Sequence, residues 1–353
     1  MLGIIDFCCR CIILVIQIVK GFILRDIRQS ALNIELVILK GLGYGFSRSL
    51  IRFFAPKNLA MRYLLLLCVF GCLVPVRLQA VIITGVGGDT GNTTAPSSPN
   101  DFPFDNVGNM NGKAGTGLYM GSGWVLTANH VGAGDVVFGG VTYSEDTGTT
   151  PVRINDTTDI LLFKILNPPE LFSLDISAAR PSGGDEVFMM GFGRGREADI
   201  VYWDASWNEL PSSVGATYSG YEWVPGGFVG RWGNNEITGN TNTTVLGTEQ
   251  MQIDFDSSGE TWEAMGSTGD SGGAVFYKNG SDWELAGMMS SISTISGQPS
   301  NTSVFGNATF AADLSVYRDD ILTVIPEPVS FAQWLGLCCG VFILWRSFYQ
   351  RGK

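Results

Sequence analysis

Three short segments carry the residue types that acyl transfer from a peptide requires. The first is Ser122-Gly123-Trp124-Val125-Leu126-Thr127-Ala128-Asn129-His130-Val131, an apolar run that ends on an imidazole. The second is Thr158-Asp159-Ile160-Leu161-Leu162-Phe163-Lys164, a carboxylate opening another apolar run. The third is Gly269-Asp270-Ser271-Gly272-Gly273-Ala274, a hydroxyl set among glycines. The chemistry needs a nucleophile, a base to take its proton and a buried carboxylate to orient that base. It also needs hydrogen-bond donors aimed at the developing oxyanion. His130, Asp159 and Ser271 supply the first three in that chain order.

Taken singly, each segment has a plainer meaning. Asp159 alone is a turn or cap residue, and Gly-Asp-Ser-Gly-Gly alone is a turn. The chain, however, has 1 histidine in 353 residues, so any imidazole chemistry passes through His130. The combination therefore carries the reading. Gly269-Asp270-Ser271-Gly272-Gly273 also fits the Gly-x-Ser-x-Gly elbow of esterases. The order His, Asp, Ser is not the Ser, Asp, His order of α/β-hydrolases, and no strand–helix alternation is present, so that fold is excluded.

The elements that must position these residues are strands. With 46 Gly and 14 Pro, turns are frequent, and short apolar runs between turns indicate an all-β domain. Strands are expected at Gly117–Met120, Trp124–Thr127, Val136–Phe138, Ile160–Ile165, Glu186–Met190, Gln250–Phe255, Ala274–Tyr277, Glu284–Met289 and Ala308–Ala312. One short helix is expected at Leu314–Val324, just before Pro326. Residues 81–111, rich in Gly, Thr, Asn, Ser and Pro, are expected to form an extended, irregular lead-in. The aromatic-rich region 194–249, with Trp203, Trp207, Tyr218, Tyr221, Trp223 and Trp232, is read as covering the domain and its loops. A surface for sugar rings is the alternative.

Charge and cysteine are both segregated. Residues 81–325 hold 9 Lys and Arg against 29 Asp and Glu, so nucleic acid and anionic membrane surfaces are repelled from this region. The 7 cysteines, Cys8, Cys9, Cys11, Cys68, Cys72, Cys338 and Cys339, all lie in apolar terminal segments. The domain at 81–325 is thus read without disulfides, thiolate metal site or cofactor. Met61-Arg62, the apolar run to Val76 and Leu78-Gln79-Ala80 lay out a signal peptide at 61–80. Residues 1–60 are read as sequence upstream of the true start at Met61, or else as an amphipathic or membrane-inserted extension. At the other end, Pro326-Glu327-Pro328 precedes an apolar stretch and a basic tail, the arrangement of a stop-transfer helix. Segment 326–353 resembles the PEP-CTERM sorting signal of bacterial exported proteins. That resemblance implies a sorting enzyme of the exosortase type as a partner and a cell-envelope or surface destination, with release after processing.

Over residues 115–322 the chain resembles the chymotrypsin/trypsin-like serine peptidases. Thr127-Ala128-Asn129-His130 is similar to the family's histidine motif, Asp159-Ile160-Leu161-Leu162 to its aspartate motif and Gly269 to Gly273 to its nucleophile motif. Gly191-Phe192-Gly193 falls where a Gly-aromatic-Gly turn is common. The resemblance implies two six-stranded antiparallel β-barrels with the active site in the cleft between them. It implies that Ser271 attacks, His130 moves the proton, Asp159 orients His130, and the N–H groups of Gly269 and Ser271 form the oxyanion hole. In the specificity pocket Met265 stands where trypsins have Asp, and Ser290 stands in the pocket wall, so the pocket is expected to be apolar or narrow and the substrate a polypeptide. Cleavage after Ala80 exposes Val81-Ile82-Ile83-Thr84-Gly85, loosely similar to the activated terminus that pairs with the Asp preceding the nucleophile, here Asp270. A catalytically silent surface-binding module on the same fold is the competing reading.

Overall fold

The computed structural model describes residues 81–85, 91–96, 102–224, 229–245, 247–257, 259 and 262–325. The extension and signal peptide expected at 1–80 and the sorting segment expected at 326–353 lie outside the described residues. Among the described residues no helix is long and apolar enough to cross a membrane.

In chain order, β1 (Ile82–Ile83) is followed by the strands of a first sheet. These are β2 (Val107–Met110), β3 (Thr116–Gly121), β4 (Trp124–Ala128), β5 (Val136–Phe138), β6 (Val141–Tyr143), β7 (Val152–Arg153) and β8 (Ile160–Lys164). They form a 7-stranded sheet in the order β6-β5-β2-β3-β4-β8-β7. Every residue of β3 and β4 is buried, as expected of central strands covered on both faces. Their hairpin turns at Gly121, Ser122 and Gly123, all with positive φ (98°, 51° and 81°). Two of these positions are therefore glycine for conformational reasons.

The second half opens with β9 (Glu186–Gly191), then β10 (Val201–Trp203), β11 (Glu209–Leu210), β12 (Tyr218–Glu222), β13 (Arg231–Glu236), β14 (Gly239–Val245) and β15 (Thr248–Asp254). It continues with β16 (Ala264–Met265), β17 (Ala274–Asn279), β18 (Asp282–Ile292), β19 (Thr302–Val304), β20 (Ala308–Asp313) and helix α1 (Leu314–Val324). A second 7-stranded sheet runs β13-β9-β17-β18-β20-β15-β14; a 4-stranded sheet runs β11-β10-β12-β19, and β1 pairs with β16. One cluster of buried side chains draws on both large sheets, with Leu118, Leu126 and Leu162 from the first and Met190, Phe276 and Met288 from the second. Helix α1 is capped by Asp313, whose side chain accepts from Ser315 N. It lays Leu314, Tyr317 and Ile321 on the same cluster.

Each of the nine expected strands coincides with an observed one, and α1 occupies the expected span. Two expectations are corrected. The lead-in at 81–111 is not irregular throughout: it contributes β1 and β2, the latter an interior strand of the first sheet. The sheets have 7 strands rather than six and do not close into barrels. In the first, the residues that follow β6 reach β8, beside the edge strand β7, through the bridge Glu145–Ile165 and the bonds Asp146 N–H to Lys164 O and Leu166 N–H to Ser144 O. In the second, a side chain of the edge strand β13 reaches β15, beside the other edge strand β14, Asn235 Nδ2 donating to Asp254 O at 2.7 Å. Part of the aromatic-rich region folds into the small sheet, in which β12 pairs with β19.

Candidate active site

The register of β4 against β8 brings the imidazole and the carboxylate together. Ala128 lies opposite Ile160 at the end of this ladder. The next residue in one direction is Asn129, whose N–H donates to Asp159 O at 3.0 Å. His130 therefore emerges beside Asp159. Its backbone N–H donates to Asp159 Oδ1 at 2.9 Å, and its ring Nδ1 lies 2.7 Å from Oδ2. Asp159 is 2 % exposed, whereas the His130 side chain is 42 % exposed. Both carboxylate oxygens are thus committed to one histidine, which fixes the ring and leaves its far nitrogen open. The hydrogen bond to Asp159 raises the His130 pKa above its ordinary value, burial pulls it back, and the Asp159 charge adds to the rise. Sequence reasoning missed Thr248, whose hydroxyl accepts from Asp159 N–H at 2.7 Å.

Ser271 sits in the loop between β16 and β17. Its carbonyl accepts from Thr116 N–H at 2.8 Å, which ties the loop to the first sheet. Gly272 has φ +86° and no room for a side chain: a Cβ there would stand 2.1 Å from Thr116 O and 2.5 Å from Thr127 Oγ1. The loop thereby reaches the strand that leads to His130. Among the described residues no hydrogen bond joins His130 to Ser271. Gly269 has φ +102°, and among the described residues neither its N–H nor that of Ser271 has a protein acceptor.

Asp270 faces the other way, into the interior, at 1 % exposure. Oδ2 accepts from Ser267 N–H and Ser267 Oγ, both at 2.8 Å, and Oδ1 accepts from Gly193 N–H at 2.7 Å. Burial nevertheless pushes its pKa up to about 6, against the pull of these donors. The Gly-Phe-Gly turn is explained here: a Cβ on Gly191 would meet Asp270 Oδ1 at 2.2 Å and one on Gly193 would meet Oδ2 at 2.3 Å. The buried N–H of Val81 completes the set, 3.5 Å from Oδ1. Two buried arginines hold the segment that follows. Arg231 donates to Val81 O at 3.4 Å, and Arg196 donates to Ile83 O at 2.6 Å and Gly85 O at 3.1 Å.

Met265 and Ser290 are both buried. Met265 pairs with Ile82 in the β1–β16 ladder and packs with Ile82, Tyr221 and Phe255. The Ser290 hydroxyl accepts from Gln250 Nε2 at 2.6 Å and donates to Phe310 O at 3.3 Å. Among the described residues neither makes a hydrogen bond to His130 or Asp159. Nearby, a Cβ on Gly266 would stand 3.2 Å from Thr309 Cγ2 and 3.5 Å from Ile292 Cγ2. Branched side chains therefore bound the space in front of Gly266.

Comparison with known proteins places the chain in a family. No curated protein sequence matches the chain. Among solved structures, it is similar to an inactive form of Rv3671c from M. tuberculosis H37Rv at 17% identity and TM-score 0.39, over 65% of this chain and 91% of that one. It is similar to kallikrein-related peptidase 10 at 16% identity and TM-score 0.40, over 64% and 98% of the respective chains. A mutant of human heparin binding protein (CAP37) matches at 15% identity and TM-score 0.44, over 67% and 97%. Identities and scores this low assign no activity. The family model described as Trypsin matches residues 92–314, well over half of the sequence. The chain belongs to the trypsin family, with a mostly β, trypsin-like fold and the serine-type peptidase character of that family.

Proposed function

We propose that this chain is an exported serine endopeptidase that cleaves peptide bonds through an acyl-enzyme. Ser271 is the nucleophile, His130 the general base and then acid, and Asp159 the group that holds the imidazole. One observation carries the reading above the rest: His130 Nδ1 lies 2.7 Å from the buried Asp159 Oδ2. That contact leaves the opposite ring nitrogen as the proton acceptor. In the first step the Ser271 oxygen bonds to the scissile carbonyl carbon and its proton passes to His130. The carbonyl oxygen takes up negative charge and is met by the N–H groups of Gly269 and Ser271. Collapse expels the amine, which takes the proton from His130; water then repeats the sequence to release the acid. The silent-module alternative has no use for a histidine oriented by both oxygens of a buried carboxylate.

Export and surface sorting belong to the same proposal. Cleavage after Ala80 converts the Val81 amide into an ammonium beside the buried Asp270 carboxylate, which links removal of the leader to maturation. Segment 326–353 is then the recognition site of an exosortase-type partner, with the mature protein at the cell envelope or released from it.

Specificity follows from the groups beside the nucleophile loop. With Met265 rather than a carboxylate, and with Ile292 and Thr309 about Gly266, a substrate Lys or Arg has no anion to meet. Burying such a charge unpaired is strongly unfavourable. A peptide library presented to the exported protein is expected to be cut after small aliphatic residues. Cleavage after these should exceed cleavage after Lys or Arg by about 100-fold in kcat/KM, and a Ser271→Ala sample should cut nothing. Preference for basic residues would overturn the pocket assignment, and equal cutting by Ser271→Ala would overturn the nucleophile.

A further inference from the structure

The five carbonyls from Ser267 to Ser271 are each taken by a donor. Ser267 O accepts from Asp270 N–H (3.1 Å), Thr268 O from Arg194 N–H (3.0 Å), Asp270 O from Gly273 N–H (2.7 Å) and Ser271 O from Thr116 N–H (2.8 Å). The fifth, Gly269 O, accepts from Thr116 Oγ1 at 3.1 Å. In a trans peptide the carbonyl and the N–H point in opposite directions. Pinning Thr268 O on Arg194 therefore aims Gly269 N–H away from Arg194, and pinning Gly269 O holds the other side of that residue. Two consecutive peptides about Gly269 are set in this way, at a position whose φ of +102° gives glycine wide freedom to turn. Of the five clamps, Thr116 Oγ1 is the one that belongs to a side chain.

Thr116 is fully buried and its polar groups are all in use. The hydroxyl gives its single proton to Gly269 O and accepts from Phe192 N–H at 3.0 Å. Its carbonyl accepts from Thr127 Oγ1 at 2.7 Å, on the strand that leads to His130. One residue thus binds the nucleophile, the peptide after Gly269, the Gly-Phe-Gly turn and the histidine strand. It also joins the first sheet to a loop of the second.

We infer that Thr116 is a positioning residue for the oxyanion site, its hydroxyl fixing the orientation of the Gly269 and Ser271 donors. The inference rests on the reading of Ser271 as nucleophile and of these two N–H groups as the oxyanion site. Thr116 touches no substrate atom; it acts through Gly269. Removing the hydroxyl leaves Gly269 O and Phe192 N–H without their partner and leaves the Gly269–Asp270 peptide held on its N–H side alone, by Ser267 O.

The test uses the full-length protein recovered after export, with the variants Thr116→Val and Thr116→Ser. Valine keeps the shape without the hydroxyl, and serine keeps the hydroxyl. The readouts are the rate of Ser271 labelling by a fluorophosphonate across pH and the amide hydrogen exchange of Phe192. Thr116→Val is expected to slow labelling about tenfold or more and to expose the Phe192 amide to exchange. The midpoint of its pH profile should stay unchanged, because His130 and Asp159 are undisturbed. Thr116→Ser should restore both the rate and the protection. A Thr116→Val protein that labels at the wild-type rate, or a Thr116→Ser protein slowed as far as Thr116→Val, would overturn the inference alone. A folded wild-type protein that never labels would instead remove the reading on which it rests, and the inference with it.

Discussion

An Asp159→Asn protein is expected to lose about 10,000-fold in kcat while keeping its fold. The carboxylate receives the His130 backbone N–H on Oδ1 and faces the ring Nδ1 on Oδ2 at 2.7 Å. An amide can still accept the backbone N–H, which preserves the loop. Its NH₂ group then faces Nδ1 and donates to it, so the proton moves to the nitrogen that should accept from Ser271. The tautomer is wrong and the base is lost. The pH profile should change as well. In the wild-type protein the hydrogen bond to Asp159 raises the His130 pKa above 6.5, so activity should rise with pH through a midpoint above that value. Loss of the carboxylate should move the midpoint down. The stability contribution of His130 runs in the opposite sense to activity. A raised folded pKa stabilises below the unfolded value, and that stabilisation is lost as pH rises through the folded one. Equal kcat in Asp159→Asn and wild type, measured on one peptide substrate, would remove Asp159 from the mechanism.

The second large effect concerns Val81. A protein whose chain begins at Val81 is expected to exceed one carrying extra residues before Val81 by about 100-fold or more in kcat/KM. This is the scale of a buried charge gaining its partner. With an amide at position 81, Asp270 is a buried carboxylate whose pKa stands at about 6. Its share of the stability is then fully present below the ordinary value of 3.8 and fades as pH rises through about 6, about 3 kcal/mol in all. A free ammonium reverses the sign: the pKa falls below the ordinary value, and stability is lost as pH falls through it. Between pH 4 and 7 the urea midpoint of the extended form should therefore fall as pH rises, while that of the Val81 form should stay nearly level and drop only below the ordinary value of 3.8. Parallel slopes and equal activities would show that the Val81 terminus has no part in maturation.

The pairing of His130 with Asp159 was more legible in the sequence than the sheets that hold it. His130, Asp159 and Ser271 stand in motifs whose spacing reflects local geometry, an apolar strand leading into or away from each group. The strands found in advance, such as Trp124–Ala128 and Ile160–Lys164, are nearly uniformly buried and stand out as apolar runs. Two of the strands that were missed carry no such mark. Val141–Tyr143 is largely exposed, and β13 reads Arg-Trp-Gly-Asn-Asn-Glu, its pairing decided by β9 rather than by its own residues. The approach of β13 to β15 depends on single contacts such as Asn235 to Asp254 O, which no local pattern announces. Thr116 lies between Gly115 and Gly117 and reads as one more turn residue. Its bonds to Gly269 and Phe192 span 153 and 76 residues of chain, and such long-range pairing is settled by tertiary structure alone. The interior placement of Val81, 3.5 Å from Asp270 Oδ1, is likewise set by tertiary structure.

The central claim, that Ser271 is an activated nucleophile, is tested most directly by covalent labelling. Full-length protein recovered after export would be treated with a fluorophosphonate, digested and mapped by mass spectrometry, beside a Ser271→Ala control. The account predicts one label, on Ser271, which vanishes in the control and appears more slowly as pH falls below the His130 midpoint. A folded wild-type protein that takes no label, or takes it equally in the control, would contradict it.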